Sequence, residues 1–311
     1  MPLAVWARTL ACVHGGQNVE RVTFQSGSET LVGQLYLPSK VDGRLDSVVL
    51  IGPMTFQKEQ APTAYAWRLA AAGFAALVFD PRFRGESGGQ PRCWEDPVAK
   101  VEDVRSAVSF LATQPSTMAG RVAGLGICQG SSAMLVAAAE DGRIAALATV
   151  AGHYRDHDGD VAWLGDAGLE QRKARGREAK AQFLAGGAVQ YVAAVDPTDP
   201  TVGMPGKFVW DWYHHWADRG QWENRYAVMS DDDLLAFESI TAARSLQTPW
   251  LMIHSDQSFL PQAARRHFDA APAVHKQLSW EGQTPHLAYY DQDDLIDATV
   301  DKIVAYFRRH L

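Results

Sequence analysis

The chain has 311 residues and a formal net charge of −7, with apolar residues at 47% and charged residues at 21%. That composition suits a folded chain with a proper core, either one large α/β domain with an insertion or two ordinary domains, and it argues against disorder. No run of Lys or Arg builds a basic face for nucleic acid, and no apolar run approaches the ~18 residues that a membrane span needs.

The elements follow in chain order. Val19–Gln25 and Leu31–Leu37 alternate like paired strands around Ser26-Gly27-Ser28-Glu29, a hairpin signal. Short, fully apolar runs come next: Ser47–Ile51, Ala75–Phe79, Arg121–Ile127, Ile144–Val150, Trp250–His254 and His275–Trp280. Such runs are typical of strands buried on both faces of a parallel sheet. Helical patterns alternate with them at Ala64–Ala72, Pro97–Thr113, Gln129–Glu140, Ser239–Ser245, Pro261–Ala271 and Asp293–Arg309. The alternation predicts an α/β fold with a doubly wound, mostly parallel sheet.

One stretch, residues 153–238, shows no clear strand. It is crowded with aromatics, among them Trp163, Trp210, Trp212, Tyr213, Trp216 and Trp222. It is expected to be a mostly helical cap inserted into a core made of residues 1–152 and 239–311. Trp210, Tyr213 and His214 are its candidates for facing a substrate. Ser230-Asp231-Asp232-Asp233 has the pattern of a capping box opening the helix that returns to the core.

The strongest motif is Gly126-Ile127-Cys128-Gln129-Gly130, set between a strand and a helix. It matches the nucleophile elbow, Gly-x-Ser-x-Gly, with sulfur in place of oxygen. Cys128 is the expected nucleophile. The helix after it offers a positive N-terminal end, which favours a thiolate, and the Gln129 N–H is placed to hold an oxyanion. The second oxyanion donor is expected from Gly52-Pro53-Met54-Thr55; Pro53 has no N–H, so the donor is Met54 or Thr55, with Met54 chosen. A dinucleotide loop is the rival reading of Gly124-Leu125-Gly126 with Gly130. It lacks an acidic residue at the end of the next strand.

His286 lies after the last strand and before the terminal helix, where the chain order nucleophile, acid, histidine puts the general base. Asp256 is the carboxylate of the loop after Trp250–His254 and is the expected third member, with Asp156 in reserve. His254 reads as structural, and His153, Asp156, His157 and Asp158 as a solvated loop with no convergent metal-ligand spacing. No metal and no cofactor are expected. The three cysteines, Cys12, Cys93 and Cys128, form no disulfide framework and suit a reducing compartment; Cys93 reads as inert. Met1–Cys12 lacks a basic start before its apolar part, so no signal peptide is read and a cytoplasmic location is expected.

These motifs resemble the α/β-hydrolase superfamily, and within it the dienelactone-hydrolase-like branch that uses a Cys-His-Asp triad. Pro53-Met54-Thr55 with Lys58-Glu59-Gln60 is similar to the oxyanion loop and first helix start. Phe79-Asp80-Pro81-Arg82-Phe83-Arg84-Gly85-Glu86-Ser87-Gly88-Gly89 is similar to the loop after the next strand. Two positions depart from the pattern: Ser258 stands where the family's acid loop carries its catalytic Asp, and the oxyanion loop lacks a His-Gly start. The resemblance implies hydrolysis of an ester, thioester or lactone through an acyl-cysteine. The substrate would be a small molecule, an apolar or aromatic acyl compound. Transfer of the acyl group to an alcohol or amine, or cyclisation, is the second reading. Ligand binding on a retired hydrolase fold is the third. A homo-oligomer is left open.

Overall fold

The computed structural model describes residues 9–14 and 17–311, with side chains from residue 18 onward. The reading of Met1–Cys12 as lacking a leader falls mostly outside those residues, as does the Cys12 side chain.

The chain opens with β1 (Thr9–His14), β2 (Gln17–Ser26) and β3 (Glu29–Leu37), an antiparallel run turned at Gly27-Ser28, where Gly27 takes φ 56°. Then come β4 (Leu45–Ile51), α1 (Ala61–Ala71), β5 (Ala75–Phe79), α2 (Pro97–Ala112), β6 (Thr117–Ile127), α3 (Gly130–Glu140) and β7 (Ile144–Val150). The next segment holds α4 (His157–Leu184), β8 (Tyr191–Val192), β9 (Val195–Asp196), β10 (Met204–Pro205), α5 (Lys207–Asp218), β11 (Tyr226–Ala227) and α6 (Ser230–Ala236). The chain returns through α7 (Ile240–Ser245), β12 (Trp250–His254), α8 (Pro261–Ala270), β13 (Lys276–Trp280), α9 (Ala288–Asp291) and α10 (Asp293–His310).

The large sheet has the order β1-β2-β3-β5-β4-β6-β7-β12-β13. Pairs from β5 through β13 are parallel, and β3 joins β5 antiparallel. Period-two alternation divides each strand between two cores: Val48 and Leu50 of β4 join the layer under α1 and α10, whereas Val49 and Ile51 join the layer under α2 and α3. The α/β fold with a doubly wound, mostly parallel sheet is therefore present. Its helices start where local chemistry allows. Asp96 accepts the Val98 and Ala99 N–H groups, and Pro97 fills the first turn of α2.

The segment from 153 to 238 departs from expectation in two ways. It carries four two-residue strands, β8 with β11 and β9 with β10, which are too short to show a period in sequence. The expected capping box does not form. Ser230 lies inside α6 and its Oγ accepts the Glu95 N–H at 2.9 Å, while Asp231 takes Arg172, Arg175 and the Tyr226 hydroxyl. Tertiary partners have recruited the side chains that a local cap would have used. α4 is broken at Gly165, whose φ of 70° and ψ of 160° no helix contains.

Candidate active site

The end of β6 is built around Cys128. Its backbone sits at φ 52°, the left-handed region that disfavours side-chain-bearing residues. The conformation is held from both sides: the Cys128 N–H donates to the Val150 carbonyl, and the Cys128 carbonyl accepts from Ser131 and His153. The flanking glycines are steric necessities. A Cβ at Gly126 would lie 2.6 Å from the Ser131 Cα, and one at Gly130 would lie 2.5 Å from the Ile51 carbonyl oxygen.

The loop after β4 delivers Met54. It is anchored by a buried ion pair: Lys58 Nζ meets Asp80 Oδ2 at 2.8 Å, and Asp80 also accepts the Lys58 and Glu86 N–H groups. Two side chains of the 153–238 segment hold the loop's carbonyls. Tyr213 donates to the Met54 carbonyl at 3.0 Å and Trp222 to the Thr55 carbonyl at 2.7 Å. The Met54 and Gln129 N–H groups and the Tyr290 hydroxyl lie beside the Cys128 thiol and favour its ionised form. The two donors expected at an oxyanion thus belong to the backbone that flanks the thiol.

The thiol lines a pocket with Met54, His153, Trp163, Phe259 and His286, joined by Phe208, Val209 and Tyr213 from α5, Leu287 before α9 and Tyr290 within it. Enclosure has a price in ionisation. Burial pushes the Cys128 thiol up, against the opposing hydrogen bonds from Tyr290, Gln129 and Met54. The sequence-based expectation of a thiol lowered by the α3 N-terminus is corrected: desolvation is the larger effect.

His286 lines the same pocket, as expected, but its partners differ from those of a triad. Its Nδ1 accepts the Phe259 N–H at 3.1 Å, and its Nε2 lies 2.9 Å from the Tyr290 hydroxyl. Burial, with His254 as a minor contributor, takes its pKa down to about 3. Asp256 is not brought to it. That carboxylate is half-exposed and accepts from Trp280 Nε1 at 2.9 Å and Gln283 Nε2 at 3.1 Å, because its loop turns the side chain toward β13. Ser258 lies buried at the family's acid position and bonds the Ser255 hydroxyl at 2.7 Å. The reserve, Asp156, caps α4 through Gly159 and is clamped by Arg266.

Of the substrate-facing candidates, Tyr213 lines the pocket. Trp210 and His214 do not; they stack on each other, with centroids 5.3 Å apart, because the helical period turns Val209 and Tyr213 inward instead. The residues not foreseen are Tyr290, His153 and Phe259. His153 stands T-shaped against Phe259, its buried Nε2 without a hydrogen-bond partner. Tyr290 follows His286 by four residues, a spacing that could have flagged it. Cys93 is buried, donates to Glu223 at 3.1 Å and is pushed up chiefly by burial.

No convergent metal set forms from His153, Asp156, His157 and Asp158. Among the described residues, His214, His215 and Asp218 on α5 bring ligand atoms within 4.8 Å of one another, and none of the three lines the pocket. No helix among the described residues is long and apolar enough to cross a membrane.

Comparison with known proteins places this architecture. The model of the X-Pro dipeptidyl-peptidase family, S15, matches residues 27–288. The chain belongs to this family. PA2218, an uncharacterized protein of Pseudomonas aeruginosa, is 29% identical over 295 residues, which is 91% of this chain and 78% of that protein. Its crystal structure gives a TM-score of 0.82 at 25% identity, covering 97% of this chain and 99% of that one. A polyketide transferase, af380 of Aspergillus fumigatus, is 24% identical over 77% of this chain and 81% of its own length. A thiohydrolase of Eupenicillium brefeldianum is 35% identical over 127 residues, 41% of this chain and 40% of that protein. The similar folds include a dienelactone hydrolase from Anabaena variabilis, with a TM-score of 0.59 at 14% identity, covering 95% of this chain and 99% of that one. The S15 chain thus has an α/β-hydrolase fold, and its relatives support hydrolase or acyl-transfer chemistry.

Proposed function

We propose that this S15 family member is an acyl-transfer enzyme that works through an acyl-cysteine on Cys128. The observation that carries the reading is a cysteine held at φ 52° at a strand-to-helix turn, its side chain lining an apolar pocket with the Met54 and Gln129 N–H groups beside it. In the reaction, Cys128 Sγ attacks the acyl carbon, the carbonyl oxygen takes over the two N–H groups, and collapse expels the leaving group, which takes up the proton that the thiol gives up. Water then releases the acid, so the net reaction is hydrolysis of an ester, thioester or lactone. His286 carries the hydrogen-bond network beside the thiol. The segment 153–238 acts as a cap that supplies the apolar wall and clamps the oxyanion loop.

A second reading, transfer of the acyl group to an alcohol or amine, is favoured by two features. The pocket is walled by Trp163, Phe208, Val209 and Phe259, which disfavours water, and no carboxylate sits on His286 to strengthen it as a base for water. The polyketide transferase among the relatives is consistent with it.

Intact-protein mass spectrometry after brief exposure to an acyl thioester tests the reading. The native chain is expected to gain one acyl group and Cys128→Ala none. An adduct that water releases supports hydrolysis, and one released only by added alcohol or amine supports transfer. Absence of any adduct, with no turnover, overturns the covalent mechanism.

A further inference from the structure

We propose that Tyr290 is the proton shuttle of this site, served by His286 as a fixed Nε2–H donor rather than as a titrating base, and that this matches the site to thioester donors. The proposal rests on the acyl-Cys128 reading above.

The hydrogen bonds decide the protonation pattern of the ring. A backbone N–H can only donate, so the Phe259 N–H at 3.1 Å requires a lone pair on His286 Nδ1. A neutral imidazole with a bare Nδ1 carries its proton on Nε2. That Nε2–H is 2.9 Å from the Tyr290 oxygen and donates to it. The Tyr290 hydroxyl proton is then directed away from His286, into the pocket that Tyr290 and Cys128 both line. Accepting a second proton would put N–H against N–H at Phe259.

Nothing around the ring repairs that conflict. The titratable or charged groups that face the network are Cys128 at the elbow, His153 and Arg155 after β7, His254 on β12, Tyr213 on α5 and Tyr65 on α1. None is a carboxylate. The expected acid position is Ser258, turned to Ser255, and Asp256 is engaged with Trp280 and Gln283. An imidazolium would therefore stand buried, without a counter-charge and opposed by a backbone donor.

Thiol–thioester exchange does not need one. As the Cys128 sulfur bonds to the acyl carbon, its proton moves to the Tyr290 oxygen, and Tyr290 passes its own hydroxyl proton to the departing sulfur. The donor's carbon–sulfur bond breaks, a free thiol leaves, and no charge remains on His286. The acceptor's S–H or O–H repeats the exchange in reverse. An alkoxide leaving group is far more basic and needs a stronger acid than a phenol held by a neutral imidazole.

The test measures acylation rates from pH 5 to 9 with an acyl N-acetylcysteamine thioester and the ethyl ester of the same acid. It uses the native chain, Tyr290→Phe, His286→Gln and the chain carrying a ring-fluorinated tyrosine at position 290. A glutamine amide can donate as Nε2–H does but cannot act as a base. We expect Tyr290→Phe to lose about 100-fold with the thioester. His286→Gln should stay within about 10-fold, with the native pH profile. Fluorination, which keeps the side chain's shape but acidifies the phenol, should shift the rate and the profile. A His286→Gln chain as inactive as Cys128→Ala overturns the proposal, as does Tyr290→Phe at the native rate or an ethyl ester that acylates as fast as the thioester. If the native chain forms no adduct with either donor, the acyl-Cys128 reading itself has failed; an adduct formed at the native rate by Tyr290→Phe removes only the shuttle.

Discussion

The Tyr213 hydroxyl donates to the Met54 carbonyl at 3.0 Å, joining helix α5 to the loop that faces the nucleophile. A peptide unit whose carbonyl is held from one side turns the rest of the loop accordingly, and the Trp222 bond to the Thr55 carbonyl fixes the next unit. The two bonds fix the peptide units that follow the Met54 N–H in the chain, so the segment outside the sheet constrains the loop on one side of that donor. Tyr213→Phe would leave the buried Met54 carbonyl unsatisfied, at about 1–3 kcal/mol of stability. The acylation rate should fall by about 10- to 100-fold, the scale of a misplaced oxyanion donor. Single-turnover acylation and a urea melt on the same variant separate the two effects. A native rate in a destabilised variant would show that the Met54 N–H is placed without α5.

Asp256 gives a cleaner discrimination. Its carboxylate is half-exposed and bonds Trp280 Nε1 and Gln283 Nε2, with no bond to His286. Removing the acid of a working triad costs about four orders of magnitude. Asp256→Asn should instead keep kcat/KM within about 3-fold, and the loss of an exposed interaction should change stability by no more than about 1 kcal/mol. A loss of a thousandfold or more in kcat/KM, with the melt unchanged, would mean that the loop after β12 rearranges to carry Asp256 to the imidazole during turnover.

Asp256 also marks where the sequence stopped being informative. The sheet and the elbow were readable because they follow from local rules: apolar runs such as Ala75–Phe79 bury on both faces, and Gly126 and Gly130 stand where backbone or Cα atoms come within 2.6 Å of a Cβ position. Chain order alone placed His286 in the pocket with Cys128. What surrounds the imidazole depends on how the loop after β12 turns, and no residue pattern announces that the Phe259 backbone, rather than a carboxylate, faces Nδ1. The inward face of α5 was misjudged for a related reason. Nearly every residue from Trp210 to Trp216 is aromatic or His, so the stripe that faces the pocket has no polar contrast to reveal it.

The buried histidines make stability fall with acid. His254 Nε2 faces the Gly152 carbonyl and Nδ1 the Ser255 carbonyl at 3.0 Å each, of which the neutral ring can donate to one; burial takes its pKa down to about 4, while His286 is taken to about 3. The sign follows from proton binding. Above pH 6.5, the ordinary histidine value, folded and unfolded chains both hold these rings neutral. Below it the unfolded chain gains protons that the folded chain refuses until about pH 4 for His254 and pH 3 for His286. Stability should therefore be full above about pH 6.5 and decline as the pH falls through 6 and 5, by roughly 3 kcal/mol per histidine by about pH 4.5. Urea midpoints measured from pH 7.5 to 4.5 check this, and His254→Gln should flatten the slope by about one proton whatever it does to the absolute stability. A slope that His254→Gln leaves unchanged would assign the acid sensitivity to other groups, such as His153, which burial also holds well below its ordinary value.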